Sequence, residues 1–220
     1  MTKPTVYIIG YSEEYSQMFK GNGWEIVDTM IKADLIQFTG GEDVSPYLYG
    51  EELHPETRSN VNRDKKEQLL FNLALKNNIP MAGICRGGQF LNVMCGGKMW
   101  QHIKNHAING THTVFDIHKK EYFQATSTHH QMMRPTKDAL IIGVVTNDSI
   151  SSFRETCTKV GSIIAYFPDR KSMSFNDKDI EIVFYKEQRV LCFQPHPEFR
   201  GYNFLAERYM SYIKDYLGIV

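Results

Sequence analysis

Apolar runs of strand length alternate with amphipathic stretches through the first hundred residues of the chain. In the amphipathic stretches the apolar residues recur at helical spacing, whereas the short runs are continuously apolar, as in buried strands. The pattern predicts strands at residues 5–9, 24–27, 34–38 and 81–84 and helices at 12–20, 63–76 and from 86 to the Gly96–Gly97 pair. Such an alternation is typical of a parallel sheet with helices on both faces.

Beyond this point the pattern changes, because stretches of strand length follow one another without intervening helices. The predicted strands are residues 111–117, 121–126, 139–146, 162–167, 180–185 and 190–194. Turn sequences such as Asn147–Asp148 and Phe167–Pro168–Asp169 connect them. Residues 201–217 are predicted to form a closing amphipathic helix. We therefore expect a β-rich second half and a single domain over residues 1–220.

Composition argues against several classes of protein. The 25 basic and 25 acidic side chains of this 220-residue chain are interspersed, so neither a nucleic-acid nor a membrane-surface partner is expected. No apolar stretch approaches the ~20 residues that a membrane helix needs, and the first apolar run is too short for a signal peptide. The four cysteines form no C-x-x-C pair. This pattern favours reduced thiols in the cytoplasm over a disulfide scaffold or a zinc ribbon.

The most informative stretch is the junction between the strand at 81–84 and the helix that follows it. Cys85 lies at this junction, inside the pattern Gly83-x-Cys85-x-Gly87. This is the pattern of a nucleophile elbow with sulfur in place of oxygen, in which the glycines allow a tight turn. The helix N-terminus would favour a thiolate and bind a developing oxyanion. The alternative is a buried structural cysteine beside a glycine-rich turn.

A thiol nucleophile needs a base, and the base needs a carboxylate that orients it. The predicted strand at 190–194 runs directly into Pro195-His196-Pro197-Glu198. Because His196 and Glu198 are two residues apart, both side chains can point the same way on an extended chain. Cys85, His196 and Glu198 are therefore predicted to form a catalytic triad.

A second candidate region follows the strand at 34–38, which ends in Thr39-Gly40-Gly41. Open α/β folds bind ligands at the carboxyl ends of their strands, so these glycines could bring a bare backbone N–H against substrate. They could equally form an ordinary turn. The polar loop at residues 42–62 is long for a compact domain and could form one wall of the site. Arg63, Asp64 and Glu67 are expected to pair with one another or to hold this loop.

With these pieces in view, the chain resembles the class I glutamine amidotransferase superfamily and, within it, most closely the γ-glutamyl hydrolases, also called peptidase family C26. The similarity covers most of residues 34–199. Its motifs are Phe38-Thr39-Gly40-Gly41-Glu42-Asp43-Val44-Ser45-Pro46, Leu48-Tyr49-Gly50-Glu51, Arg63-Asp64-x-x-Glu67, the elbow through Gly97, Ser127-x-His129-x-Gln131 and Gln194-x-His196-Pro197-Glu198. Pro195 departs from the aromatic residue usual in the family, and His102 from an acidic one.

The resemblance implies a three-layer, flavodoxin-like fold with a mostly parallel central sheet. It also implies cleavage of a γ-glutamyl amide, in glutamine or in a γ-glutamyl conjugate, through a thioester on the cysteine. The oxyanion hole would consist of the backbone N–H groups of Gly41 and Arg86. The implied substrate-binding residues are Gly40, Gln89, His129, His130 and Gln131, the last three mainly through backbone groups.

Three functions remain open. A stand-alone hydrolase is favoured by the motifs at residues 38–51 and 63–67. The short chain and Pro195 leave room for a glutaminase subunit that supplies ammonia to a separate synthetase. A binding or scaffold protein without activity would be at odds with an intact triad.

Histidines are the residues to consider as metal ligands. Four of the eight lie close together in the sequence: His102, His106, His112 and His118. However, Asn109–Gly110 breaks any helix there, and no carboxylate or cysteine completes a ligand set, so we expect no metal. Gly40–Gly41 lacks the Lys-Ser/Thr of a phosphate-binding loop. We therefore expect neither an ATP site nor a cofactor.

Overall fold

The computed structural model of the chain describes residues 2–10, 12–146, 154–160, 163–168 and 179–220. The strands are β1 (Thr5–Ile9), β2 (Glu25–Ile26), β3 (Leu35–Phe38), β4 (Met81–Ile84), β5 (Lys98–Trp100), β6 (His102–Ile103), β7 (Ala107–Asp116), β8 (Glu121–Thr128), β9 (Met132–Arg134), β10 (Leu140–Val145), β11 (Arg154–Val160), β12 (Ile163–Pro168), β13 (Ile180–Tyr185) and β14 (Val190–Phe193). The α-helices are α1 (Glu13–Gly21), α2 (Val61–Lys76), α3 (Arg86–Met94) and α4 (Asn203–Tyr212). Helix α4 continues into a π-helical turn at Ile213–Leu217. Two of the connections contain 3-10 turns, at Met30–Lys32 and at Pro46–Tyr49.

A nine-stranded sheet forms the centre of the molecule, in the order β2-β1-β3-β4-β14-β13-β10-β7-β8. Parallel pairings join the first five of these strands, with Phe38 opposite Gly83 and Ile84 opposite Phe193. The remaining pairings are antiparallel. The parallel part contains β1 to β4 together with β14, which comes from the C-terminal part of the chain. The expected α/β class with a large central sheet is confirmed.

Helices cover both faces of this sheet. One apolar core contains Phe19 of α1 and Tyr209 of α4, packed with Leu191 from the sheet. The other core contains Phe71 of α2 and Phe90 of α3. Burying the apolar stripe of each helix against a sheet face produces the three-layer arrangement that the sequence predicts.

The helices begin close to the predicted residues. Ser12 precedes α1 with extended backbone, but its hydroxyl donates to Glu14 at 2.5 Å instead of capping the helix. Helix α2 begins two residues before the predicted start, because the side chain of Asn60 accepts the N–H of Arg63 at 3.1 Å and so caps it. Within the described ranges, no helix combines the length and apolar character needed to cross a bilayer.

The sequence pattern misses most of the strands outside the central sheet. β5 pairs with β9, and β12, β11 and β6 form a three-stranded sheet. β5, β6 and β9 are only two or three residues long, too short to show a period in the sequence. The predicted turn at Asn147–Asp148, the start of the predicted strand at Ser162 and the turn residue Asp169 lie outside the described residues.

The carboxyl ends of β4 and β14 lie side by side in the parallel part of the sheet. The N–H of Cys85, immediately after β4, donates to the carbonyl of Phe193, the last residue of β14, at 2.8 Å. Residues that follow these two strands are therefore neighbours in space although they are far apart in the sequence. This edge is where open α/β sheets place their ligand sites.

Candidate active site

Cys85 occupies a strained turn between β4 and α3. Its φ of 50° and ψ of −116° lie outside the regions that residues other than glycine ordinarily adopt. A Cβ on Gly83 would lie 2.3 Å from the carbonyl carbon of Gly87, and one on Gly87 would lie 2.3 Å from the carbonyl oxygen of Phe38. Both glycines are therefore required by close backbone approach. The geometry is that of the predicted elbow.

The imidazole of His196 lies beside the elbow. A Cβ built on Gly40 would be 3.1 Å from Cε1 of His196 and 3.8 Å from Cβ of Cys85, so the three residues converge on one point. Nδ1 of His196 donates to Oε1 of Glu198 at 2.6 Å, which leaves Nε2 to serve another group. The ring of Phe199 stacks on the imidazole with centroids 4.4 Å apart. The imidazole is thus oriented by a carboxylate and by an aromatic face.

The electrostatics of this pair favour a charged imidazole. Burial lowers the pKa of His196, but interactions with Cys85 and Glu198 outweigh burial and raise this pKa to about 10. An imidazolium beside a thiol stabilises the thiolate. The arrangement can therefore keep the imidazole of His196 charged at neutral pH, next to the thiol.

The Gly40–Gly41 loop is held from two sides. The N–H of Gly40 donates to the hydroxyl oxygen of Tyr15 at 2.9 Å. Nη2 of Arg63 donates to the carbonyl oxygens of Thr39 at 2.9 Å and of Gly40 at 3.0 Å. Gly41 has a φ of 136°, and a Cβ there would lie 2.2 Å from the Arg63 guanidinium. Glycine is therefore required at 41, and α1 and α2 set the position of the loop.

A buried ion network lies behind the elbow and joins α2 to α3. The guanidinium of Arg86 is buried and pairs with the carboxylates of Asp64 and Glu67. Glu67 also accepts from Nε of Arg63 at 2.7 Å, and Asp64 accepts the N–H of Ser45 at 3.1 Å. Buried charges are tolerated only when paired in this way. The network confirms the expectation that the charged residues at the start of α2 pair and hold the neighbouring loop.

A cavity of about 740 Å³ opens beside the predicted triad. Tyr15, the two loop glycines, Arg63, His196 and Glu198 contribute to its lining. Asn60, near the end of the long polar loop, also lines it, so this loop forms part of one wall as expected. The volume lies in the range of about 300–1,000 Å³ that is usual for small-molecule sites.

The predicted substrate-binding residues separate into two groups. Gly40 lines the cavity, whereas Gln89 and residues 129–131 are absent from its lining in the part of the chain that the structure describes. Gln89 is buried, and its amide donates to Oε1 of Gln194 at 3.1 Å and to the carbonyl of Gln131 at 3.3 Å.

Residues 129–131 also use their side chains inside the protein. Nδ1 of His129 donates to the carbonyl of Gln131 at 2.8 Å, and Nε2 of His130 lies 3.0 Å from Asp43. The amide of Gln131 donates to Thr57 and to the backbone of Gln101. Only the remaining backbone groups of residues 129–131 are free of these contacts and could bind substrate. Substrate binding by this segment stays a prediction.

A second group of titratable side chains meets in the antiparallel part of the sheet. His106, His112 and Glu181 are buried and offer ligand atoms within 4.8 Å of one another, so they could hold a metal ion. Along the sequence no carboxylate completes a histidine ligand set, but β13 brings Glu181 to the two histidines. The fold thus removes one of the reasons for expecting no metal.

Three residues near the triad are not identified by sequence reasoning. Tyr15 shows in the sequence only as part of the apolar face of α1, and Phe199 only as the neighbour of Glu198. The hydroxyl of Thr126, on β8, accepts the N–H of His196 at 2.6 Å. Burial, together with the charge of Glu198, raises the pKa of Tyr15, so its phenol stays protonated. Of Tyr15, Thr126 and Phe199, only Phe199 could have been noticed in the sequence, because it directly follows the His-Pro-Glu sequence.

Comparison with known proteins supports the family resemblance that the sequence motifs indicate. A family model described as Peptidase C26 matches residues 19–198. A protein of Lactococcus lactis named as glutamine amidotransferase-like, YvdE, is 32% identical over 167 residues, which cover 75% of this chain and 66% of that protein. The chain covers less than two thirds of the length of each of the first curated relatives it matches. The covered share of these relatives ranges from 42% to 66%.

Solved structures with the same fold include two named for glutamine chemistry or nucleotide synthesis. One, named as a GMP synthase subunit of Thermoplasma acidophilum, superposes with a TM-score of 0.63 at 13% sequence identity. The superposition covers 100% of this chain and 94% of that structure's chain. A glutamine amidotransferase of Thermotoga maritima gives 0.59 at 15% identity, with 99% and 85% covered. At these identities the likeness concerns the fold alone. The family model, however, covers most of the chain, elbow and His-Pro-Glu sequence included, and the chain belongs to the peptidase C26 family.

Proposed function

We propose that the chain hydrolyses a γ-glutamyl amide bond, in glutamine or in a γ-glutamyl conjugate, through a thioester on Cys85. The observation that carries this proposal is the convergence of Cys85, in its strained turn, with the hydrogen-bonded pair His196 and Glu198. A nucleophile, a proton carrier and an orienting carboxylate are the groups that acyl transfer requires.

In the first half of the reaction, the Cys85 thiolate attacks the side-chain carbonyl carbon of the γ-glutamyl group. The oxyanion that forms would lie between the backbone N–H groups of Gly41 and of Arg86, the first residue of α3. The C–N bond breaks as Nε2 of His196 gives its proton to the leaving amine. The products are a free amine, a γ-glutamyl thioester on Cys85 and a neutral His196.

In the second half, His196 accepts a proton from a water molecule whose oxygen attacks the thioester carbonyl. The C–S bond breaks, glutamate leaves, and the thiolate–imidazolium pair is restored. Glu198 orients the imidazole throughout and stabilises its charged form, at the distance of 2.6 Å seen in the structure. The thiol, the base and the carboxylate all come from this chain.

Two versions of this chemistry remain candidates. A stand-alone hydrolase is supported by the ion network, because Arg63 and Arg86 hold the glycine loop and the elbow with partners from this chain alone. This is the arrangement expected of a site that works without a second protein. A glutaminase subunit that passes ammonia to a separate synthetase is supported by the likeness to a structure named as part of a synthase.

Steady-state release of glutamate and amine by the purified chain, from glutamine and from a panel of γ-glutamyl conjugates, tests the proposal. Saturable hydrolysis of a conjugate, faster than that of glutamine, would support the stand-alone hydrolase. Negligible rates on all substrates that rise many-fold when a candidate synthetase is added would support the ammonia donor. Equal rates with Cys85→Ala would refute both versions.

A further inference from the structure

Four buried side chains that the proposed reaction does not use converge in the antiparallel part of the sheet. His106 lies just before β7, His112 lies within β7, His129 follows β8, and Glu181 is on β13. Their exposed fractions are 0%, 3%, 4% and 0%, in that order, so none of them is a surface residue. A carboxylate surrounded by three imidazoles at this depth requires a counter-charge.

The distances within this histidine–glutamate cluster are longer than those of most hydrogen bonds. Glu181 oxygens lie 3.3 Å from Nε2 of His129, 3.5 Å from Nε2 of His112 and 3.7 Å from Nδ1 of His106. N–H···O bonds usually measure about 2.7–3.2 Å. Among the described residues, none of these nitrogen and oxygen atoms has a hydrogen-bond partner. Unsatisfied polar atoms at full burial are rare in native proteins.

The surrounding hydrogen bonds determine which nitrogens carry protons. Nδ1 of His129 is 2.8 Å from the carbonyl of Gln131, which can only accept, so this nitrogen carries the proton. Nε2 of His106 is 2.8 Å from the carboxylate of Asp179, which also pairs with Arg154. In their neutral forms both imidazoles therefore turn a lone pair towards Glu181. Lone pairs facing a carboxylate repel it unless a cation lies between them.

The geometry fits a transition-metal ion better than any contact among the side chains themselves. With metal–ligand bonds of about 2.0–2.1 Å, the ligand atoms of a tetrahedral site are roughly 3.3–3.4 Å apart. The separations between the Glu181 oxygens and the imidazole nitrogens, 3.3 to 3.7 Å, are close to this value, and the ligand atoms of His106, His112 and Glu181 all lie within 4.8 Å of one another. A carboxylate behind a ligating imidazole, as Asp179 lies behind His106, is the usual support of such a site because it fixes the ring's orientation and tautomer.

We propose that His106, His112 and Glu181 bind one divalent metal ion of the zinc class, and that His129, whose Nε2 lies 3.3 Å from the same carboxylate, moves in as the fourth ligand. Three imidazoles and one carboxylate are ligands that zinc accepts, and four protein ligands in full burial make a closed, structural site. The ion would tie β7 and β13 to the segment at residues 129–131. It would thereby steady the connection to Gln89 on α3, since the carbonyl of Gln131 accepts from that amide.

The first experiment measures metal content and does not use catalytic activity. The chain is purified from cells grown with added zinc, and metal per chain is determined by mass spectrometry. We expect a single zinc ion per chain in the wild type, in Cys85→Ala and in the control His118→Ala, whose imidazole is bound to the carbonyl of Ile141 away from the cluster. His112→Ala and Glu181→Gln should lose it. Retention of zinc by Cys85→Ala separates this inference from the proposed reaction.

Because cluster variants could fail to fold, the second experiment uses the wild-type chain and the variant Asp179→Asn, which leaves all four ligands in place. Zinc should raise the melting temperature of chelator-treated wild-type protein in a concentration-dependent way, and cobalt should give the visible absorption of a tetrahedral site. Asp179→Asn should weaken zinc affinity by about 10- to 100-fold. A folded wild type that contains no metal and shows neither effect would overturn the proposal and leave protonated histidines as the counter-charge.

Discussion

The parallel and the antiparallel parts of the sheet each gather reactive side chains, but by different means. In the parallel part, glycines two residues to either side of Cys85 set its position, so the geometry is local. In the antiparallel part, Glu181 reaches His106 and His112 only because β13, β10 and β7 lie in succession across the sheet. The local backbone constraints at the elbow leave a pattern in the sequence, whereas the approach of Glu181 to the two histidines leaves none.

The two regions also differ in their exposure to solvent. Cys85 is only partly buried, and His196 and Glu198 line a cavity large enough for a small molecule. The histidine–glutamate cluster is closed off from solvent. A nucleophile must meet its substrate, whereas a structural ion must be kept from water. We therefore assign the chemistry to the first region and a stabilising role to the second.

Removing the thiol of Cys85 should have the largest effect. Cys85→Ala should lower kcat on the order of 10⁴-fold or more, because no thioester can form. The matched control is Cys95→Ala, at the end of α3, where burial raises the thiol pKa to about 12 and disfavours a thiolate. The control should keep most of the activity, and circular dichroism should show both variants folded.

Removing the charge of Glu198 should have the next largest effect. Glu198→Gln should lower kcat on the order of 10²- to 10⁴-fold, because the imidazole loses the group that orients it and stabilises its charge. Glu207→Gln, an exposed change on α4, is the matched control and should be neutral. Equal kinetics for the two variants would show that Glu198 plays no part.

Detaching the glycine loop should have a smaller effect. Arg63→Gln removes the bonds to the carbonyls of Thr39 and Gly40, and a shift of the loop by about 1 Å can cost on the order of a hundredfold in rate. Lys65→Gln, an exposed neighbour on α2, should leave kinetics unchanged. A loss confined to thermal stability, with unchanged kcat and KM, would limit Arg63 to a structural role.

The proton on His196 can be followed directly by NMR titration of its ring. The pKa of His196 should be about 10 in the wild type, and in Cys85→Ala it should fall towards the ordinary value of 6.5 because the thiol contribution is lost. Since the folded-state pKa is raised, the imidazolium stabilises the fold fully below pH 6.5, and this contribution is lost as the pH rises through about 10. An unchanged pKa in Cys85→Ala would show that the two side chains do not interact.

The smallest effect is expected from Tyr15→Phe. The substitution leaves the N–H of Gly40 without its hydroxyl acceptor, which typically costs about 1 kcal/mol, or roughly fivefold in rate if the cost falls on the transition state. Tyr122→Phe, an exposed position on β8, is the control. Kinetics identical to those of the control would mean that Tyr15 only packs against the loop.

Much of the parallel part could be predicted from the sequence. Thr5–Ile9 and Met81–Ile84 are strands with the predicted bounds, and the continuous apolar run of Met81–Ile84 is buried on both faces. The elbow could be predicted because Gly83 and Gly87 are demanded by backbone atoms that lie close to them. These features depend on neighbours in the sequence or on burial alone.

The remainder depends on contacts between distant segments. The short strands Lys98–Trp100 and Met132–Arg134 pair with each other and have no period long enough to detect. Tyr15 reaches Gly40, and Glu181 reaches His112, only through the topology of the sheet. No local pattern distinguishes these residues from ordinary members of a helix or a buried strand.

The central claim, that Cys85 forms a γ-glutamyl thioester with the help of His196, can be tested most directly by trapping the intermediate. The purified chain is mixed with a γ-glutamyl amide that has a good leaving group, the reaction is quenched with acid within the first turnovers, and the peptides are examined by mass spectrometry. We predict a γ-glutamyl group on the peptide that contains Cys85, absent from Cys85→Ala and much less abundant in Glu198→Gln. Turnover of the same substrate without any adduct, or with the adduct on another residue, would contradict the account.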